Sequence, residues 1–440
     1  MTNKIFYIHL LLFVSLSLKA QENINYPVID RETYSQYLQK DWKGLLKTGK
    51  ISLKNDIEFY YLDVRMGIAF YELKKYRKAI PYLEKAREQN RSNELVTEYL
   101  YYAYLFSGRS NDARKLTKVL SAELKTKIGI GLNPIINAIN IDLRFENFDD
   151  YYAAPSSSEL LEQDVRTDYS YFAFGVEHLI KENSRFFWSY SKIKTDITIF
   201  DIGDSNEQIS NDSELSQNQF YFSYQNQLKY GLNLVLAANI LNIVSKGSVL
   251  VPSGGWGPGG GGMLNAETRY VSNQILGYAG LRKDFANFQI GLGSSFSNLD
   301  KVLQIQPGLD LSWYPLSNTN IYLTSHANYR MENANSIWDN EMVIKQSLGF
   351  RLLTFYIEPS ITFGNIINYT DVNAYIVYND NDVIKDMCEV LIYGSFFKNK
   401  LNLFFKYQDY NKTNTYLLNG VDNEITYKNQ TLTGGIKWNF

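Results

Sequence analysis

A hydrolase or acyltransferase needs a nucleophile or acid–base group held near a histidine or a paired carboxylate. This 440-residue chain offers three histidines, His9, His178 and His326, and one cysteine, Cys388. His9 falls in an apolar N-terminal run, and His326 sits between Thr324 and Asn328. His326 therefore reads as a histidine satisfied by hydrogen bonds, and the chain as no enzyme. A lone cysteine excludes intramolecular disulfides and Cys-cluster metal sites. Asp380 to Asp382 reads as a polar loop rather than a calcium site. The run Gly254-Gly255-Trp256-Gly257-Pro258-Gly259 has no following Lys-Ser/Thr and no strand-to-helix setting, so it is no phosphate loop. It reads as a flexible surface loop, with Trp256 as the tip of a constriction the alternative. No metal and no cofactor are expected.

The elements that would carry these residues change character near Ile135. Beyond it the apolar period is 2. Ile139, Ile141, Leu143 and Phe145 alternate with Asn140, Asp142, Arg144 and Glu146, and Leu401, Leu403, Phe405 and Tyr407 with Asn402, Lys406 and Gln408. Short turns at 181–184, 283–286, 315–319 and 398–400 alternate with long polar excursions at 146–167, 201–216, 245–267 and 411–427. Short turns on one side facing long loops on the other are expected of a transmembrane β-barrel. The pattern gives about fourteen antiparallel strands, with twelve and sixteen fitting the same signal; residues 375–378 read as external loop. Tyr is abundant (35) and Pro scarce (9), as aromatic girdles and many strands require. The formal charge of -2 gives no basic face for nucleic acid.

Parity assigns charges to the lumen. The acids are Asp142, Glu146, Glu177, Asp196, Asp310, Glu341, Glu358 and Glu389. The bases are Arg144, Lys192, Lys194, Arg330, Lys345, Arg351, Lys406 and Lys437. Inward parity also holds His326, whereas His178 has lipid-facing parity. The two signs balance, which points to ion pairs bracing the barrel rather than to a field that selects one sign of solute.

Both chain ends suit export. Lys4, an apolar run from Ile5 to Leu18 and the small Ala20 form a secretory signal over residues 1–20. At the other end, Leu432, Gly434, Ile436, Trp438 and Phe440 take one parity and Thr433, Gly435 and Lys437 the other. Thr433, Gly435, Trp438 and Phe440 make this strand similar to the C-terminal signal of Gram-negative outer-membrane proteins. That resemblance implies recognition by the barrel-insertion machinery and a home among outer-membrane lipids. The segment His326-Ala327-Asn328 lacks the His-x-Ser arrangement of outer-membrane phospholipases.

Between the signal and residue 128 the period is helical. Gly67, Ala69, Phe70, Tyr76, Ala79, Leu83 and Ala86 alternate small and large side chains at the spacing two packed helices need. Leu100, Ala103, Tyr104, Gly108 and Ala113 repeat the pattern. These residues resemble a tetratricopeptide repeat. The resemblance implies a concave groove holding Arg65, Ile68 and Tyr71 from one repeat and Tyr99, Tyr102 and Phe106 from the next.

The expected architecture is therefore α + β in separate domains. A periplasmic tetratricopeptide-like helical module over 21–128 precedes an outer-membrane β-barrel over 129–440. The function this implies is an anchor whose module binds a periplasmic protein of an envelope or secretion assembly. The alternative is an outer-membrane channel or exporter, with polysaccharide a candidate cargo.

Overall fold

A computed structural model describes residues 25–130, 134–147, 161–202, 208–252, 263–334, 337–379 and 382–440. The signal segment, the glycine-rich run at 253–262 and residues 380–381 lie outside the described residues. The chain forms two compact units, Met1–Gly108 and Arg109–Phe440.

Among the described residues, five helices build the first unit: α1 (Tyr26–Leu38), α2 (Trp42–Lys54), α3 (Tyr60–Glu72), α4 (Tyr76–Gln89) and α5 (Glu94–Phe106). Asn25 and Asn93 cap α1 and α5 by accepting from the N–H groups of Val28 and Val96, which satisfies otherwise orphaned donors. Small residues set the approach of α3 and α4. A Cβ at Gly67 would lie 2.7 Å from the Leu83 side chain. Ala69, Ala79, Leu83 and Ala86 are wholly buried there, with Leu45, Leu62 and Met66 completing the core. Phe70 stacks on Tyr82 at 5.5 Å between centroids.

The second unit opens with two short helices, α6 (Ser110–Thr117) and α7 (Ala122–Ile128). Lys115 Nζ donates to the Leu228 carbonyl at 2.6 Å, tying α6 to a turn of the barrel. Sixteen strands follow in chain order. They are β1 (Ile136–Asn147), β2 (Leu161–Lys181), β3 (Ser184–Ile202), β4 (Gln208–Gln227), β5 (Leu232–Pro252), β6 (Met263–Asp284), β7 (Phe288–Ser297) and β8 (Leu303–Trp313). The rest are β9 (Ile321–Ala334), β10 (Ile337–Leu352), β11 (Phe355–Ile366), β12 (Tyr369–Asp371), β13 (Ile376–Tyr378), β14 (Val383–Phe396), β15 (Leu401–Leu418) and β16 (Val421–Asn439).

Fourteen of them close a barrel in the order β1-β16-β15-β14-β11-β10-β9-β8-β7-β6-β5-β4-β3-β2; β12 and β13 pair only with each other. All wall pairings are antiparallel, and closure pairs Ile141 with Ile436 and Asp142 with Gly435. The outer surface is apolar. Ile141, Phe172, Phe222, Leu309, Leu403 and Ile436 all stand exposed on it, and Leu292 keeps 63% of its surface. An apolar belt around a closed barrel is stable in hydrocarbon and nowhere else, because closure satisfies every backbone group. The protein is an outer-membrane barrel.

Wall height is uneven. Strands β2 to β6 have 21, 19, 20, 21 and 22 residues, while β7 and β8 have 10 and 11. About 9–11 residues suffice to cross the bilayer, so the long strands stand well clear of it. The polar excursion expected at 411–427 is one such extension. There β15 and β16 stay paired up to Leu418 and Val421, joined by a turn with positive φ at Asn419 (51°) and Gly420 (76°).

Candidate functional site

Fourteen strands enclose more space than their own inward side chains fill, since about eight give an interior that side chains alone occupy. The chain between β11 and β14 enters this space. The departure begins at Gly364, whose φ of +121° suits glycine; a Cβ there would lie 2.3 Å from the Met342 carbonyl oxygen. The β11–β14 register then shifts between Phe363 and Ile366. Strands β12 and β13 form a hairpin that reaches the opposite wall. Residues 375–378 are therefore part of a hairpin inside the lumen, not an external loop.

At the tip, Val372, Asn373 and Ala374 all have positive φ (50°, 58° and 62°), a costly run for non-glycine residues. The wall holds it there. Asn239 Nδ2 donates to the Ala374 carbonyl at 3.0 Å, and the Tyr221 hydroxyl to the Asn373 carbonyl at 3.3 Å. Ala374 packs with Leu241, Leu276 and Leu299, and the Tyr375 ring lies 4.9 Å from that of Tyr221. Strands β4 and β5, which carry Tyr221, Asn239 and Leu241, lie half a circuit from β11 and β14 in the strand order. The hairpin thus bridges the lumen from side to side.

Its flanks are fastened as well. Gln306 exchanges two hydrogen bonds with the Thr370 backbone, donating to its carbonyl at 2.7 Å and accepting from its N–H at 3.2 Å. Asn328 donates to the Tyr369 hydroxyl at 2.7 Å, and Asn379 to Gln217 at 2.7 Å. At the base, Tyr369 and Tyr378 join Val343, Ile366, Ile384, Met387 and Tyr410 in an apolar cluster.

Charged groups brace the wall around this bar. Glu389 pairs with Lys345 at 3.1 Å and Lys406 at 3.5 Å, and Lys345 also reaches Asp371 of the hairpin at 3.8 Å. Glu177 pairs with Lys437 (3.0 Å) and Arg185 (3.6 Å). Asp310 meets His326 Nδ1 at 2.6 Å and Arg282 at 3.5 Å. Arg330 pairs with Glu332 at 3.4 Å, and Glu358 accepts from the Tyr322 hydroxyl at 2.5 Å. Arg144 donates to Thr433 Oγ1 at 3.2 Å. All of these stand on inward positions.

Lys192 and Lys194 do not. On β3 the inward positions are the buried Ser189, Ser191 and Thr195, so both lysines and Asp196 take the outward parity. Lys192 lies opposite the exposed Phe172. The assignment of these charges to the lumen is corrected accordingly: β3 has aliphatic Ile193 and Ile197 inside, which inverts the alternation of polarity. On β16, Thr433 is buried, Gly435 faces a space bounded by Phe404 and Asp142, and Trp438 and Phe440 stand exposed. The last residue is tied in, its N–H donating to the Asn137 carbonyl at 3.0 Å. His178 accepts from the Trp188 indole at 3.1 Å.

In the helical unit, Arg65 bonds Asp30 at 2.7 Å and Ile68 is 2% exposed. Neither is offered to a partner. Tyr71 lies against Tyr99 (4.9 Å) and Phe106 (6.4 Å), and Tyr102 stacks on Phe106 at 5.9 Å. Burial, helped by Tyr76 and Glu72, pushes the Tyr71 phenol up to about 12. The aromatics mainly satisfy one another.

No family model matches the chain, its helical segment included, and no curated protein matches it. Among solved structures, the chain is similar to a Pseudomonas aeruginosa FadL homologue (9% identity, 70% of this chain, 93% of that one, TM-score 0.42). It is similar also to the Pseudomonas putida toluene transporter TodX (9%, 69%, 89%, 0.41) and to the NanC porin (9%, 51%, 94%, 0.30). The expected kinship with tetratricopeptide-fused barrels is corrected here. The barrels found carry names of transporters, a porin, an import receptor and autotransporter domains, and the small-and-large pattern of α3 and α4 is what any close helix pair requires. The role of anchor for a protein-binding module falls with that kinship.

Proposed function

We propose that this protein is a non-enzymatic outer-membrane channel for a small solute, barred at rest by its β12–β13 hairpin, with the helical unit in the periplasm. One observation carries the reading. A wall too wide to fill itself is lined by Ser, Gln, Asn, Thr and paired charges, and among the described residues one chain segment crosses it. A barrel serving only as an anchor needs neither the width nor the bar. The rim that carries the start of β1, the end of β16 and the short turns faces the periplasm in this reading, as short turns do in such barrels.

Liposome swelling tests the reading. Proteoliposomes holding the full chain should swell slowly in small sugars or amino acids. Those holding a variant with residues 368–379 replaced by a short Gly-Ser link should swell quickly. Equal, negligible swelling of both, with heat-modifiable migration showing both inserted, would remove the channel from consideration.

A further inference from the structure

Between the hairpin and the far rim lies a cavity of about 420 Å³, within the roughly 300–1,000 Å³ of small-molecule sites. Its floor is Val377, Tyr378 and Asn379 of the hairpin. The two sides of the cavity differ in kind. Strands β3 to β5 contribute Ile193, Ile197, Leu215 and Ile243. In register these alternate with Gln217, Thr195 and Ser245, so aliphatic and polar tips form a chequerboard. Four inward aliphatics have no bracing role in a water-filled lumen.

Strands β1, β2, β15 and β16, which continue the wall beyond β3, supply charge. Glu146 is fully engaged: it pairs with Lys412 at 3.5 Å and Arg166 at 3.7 Å, and accepts from Asn429 at 2.7 Å. Arg144, two residues away on the same face, is treated differently. Its Nε donates to Thr433, its guanidinium lies 5.5 Å from the Tyr171 ring centre, and Tyr169, Tyr378 and Tyr410 surround it. Among the described residues no carboxylate forms an ion pair with it. Arg166 and Lys412 are matched by Glu146, whereas Arg144 is met by hydroxyls and rings, Tyr169 sharing a further hydrogen bond with it.

We propose that Arg144 and the β3–β5 aliphatic wall form a binding site for a small amphiphilic carboxylate, the carboxylate on the guanidinium fork and the apolar body on Ile193, Leu215 and Ile243. The fork geometry of arginine matches two carboxylate oxygens, and tyrosine hydroxyls beside it offer further donors. Enclosure by protein raises the worth of the charge–charge contact above its value in water. The inference rests on the channel reading for its meaning as a solute site, yet binding is measurable without any flux.

The test is calorimetric titration of the detergent-solubilised full chain with 3-phenylpropionate, with 3-phenylpropanol of the same shape, and with inorganic phosphate. The acid should bind at least about tenfold more tightly than the alcohol, and phosphate more weakly than the acid. Arg144→Gln should weaken the acid about ten- to a hundredfold and leave the alcohol unchanged, and Arg144→Lys should recover part of the loss. Ile243→Asn should weaken acid and alcohol alike. Equal affinity of the wild type for acid and alcohol overturns the proposal whether or not the Arg144 variants insert. Failure to bind any probe overturns it as well. Swelling without carboxylate binding would leave the channel standing and remove this site; binding without swelling would do the reverse.

Discussion

The helical unit and the barrel wall use the same aliphatic residues in opposite directions. Leu45, Leu62 and Leu83 are wholly buried between helices, whereas Leu309 and Leu292 stand outside on the wall. Water expels apolar surface in the first case, and hydrocarbon accepts it in the second, so polar and charged groups turn inward and must find partners there. The β12–β13 hairpin sits in the barrel but obeys the helical rule. Its base cluster of Val343, Ile366, Tyr369, Tyr378, Ile384, Met387 and Tyr410 is a small water-excluding core within a polar lumen. Solvent, not secondary structure, sets the direction in which each residue points.

The strongest challenge to this comparison is to empty the hairpin's core. Tyr378→Ala should cost about 3–5 kcal/mol locally, the range for truncating a large buried ring. The wall, whose ladder it does not share, should keep its heat-modifiable migration while protease and solute gain entry. Loss of the whole barrel would mean that hairpin and wall are one cooperative unit.

On the wall the sign reverses. Leu309→Arg puts a charge midway along β8 on the outer belt and should cost about 2–4 kcal/mol in urea unfolding from liposomes. An equal effect in detergent and bilayer would deny that the belt faces hydrocarbon. At the hairpin tip, Asn239→Ala removes the donor to the Ala374 carbonyl and should cost about 1–3 kcal/mol, read as faster hydrogen exchange confined to the hairpin.

The smallest effect belongs to the helical unit. Burial, opposed by Lys85, holds the Asp63 carboxyl up at about 6 against an ordinary 3.8. The folded state therefore binds this proton more tightly than the unfolded chain does. Its contribution to stability is full below about pH 4 and is lost as pH rises through 6. Asp63→Asn should flatten that slope in thermal melts of the helical signal and stabilise the unit by roughly 1 kcal/mol at pH 7.5, after screening. A steeper slope in the variant would contradict the burial.

Much of the wall was legible because lipid demands an apolar residue at every second position. Ile141, Leu143 and Phe145 on β1 and Leu403, Phe405 and Tyr407 on β15 declare their faces, and the strand count of fourteen follows. The lumen imposes no such rule, since Ile193 and Ile197 point inward as readily as Ser189 and Ser191. That is why Lys192 and Lys194 were misplaced by parity. Beyond the bilayer both faces of a strand are polar, so β15 and β16 past residue 411 read as loop, although Asn419-Gly420 is a strong hairpin turn signal. The inward hairpin left only Gly364 as a trace. Its tip, Val372-Asn373-Ala374, has neither glycine nor proline, and only contacts with Tyr221 and Asn239, distant in sequence, hold that backbone.

Planar-bilayer recording of the full chain beside the variant lacking residues 368–379 tests the barred channel most directly. The account predicts a wild type that is silent or nearly so and a shortened variant with steady conductance. Because Glu389, Glu177 and Asp310 are each matched by inward cations, that conductance should show little preference between anions and cations. A shortened variant that inserts yet stays silent, or a wild type that conducts as strongly as the variant, would contradict it.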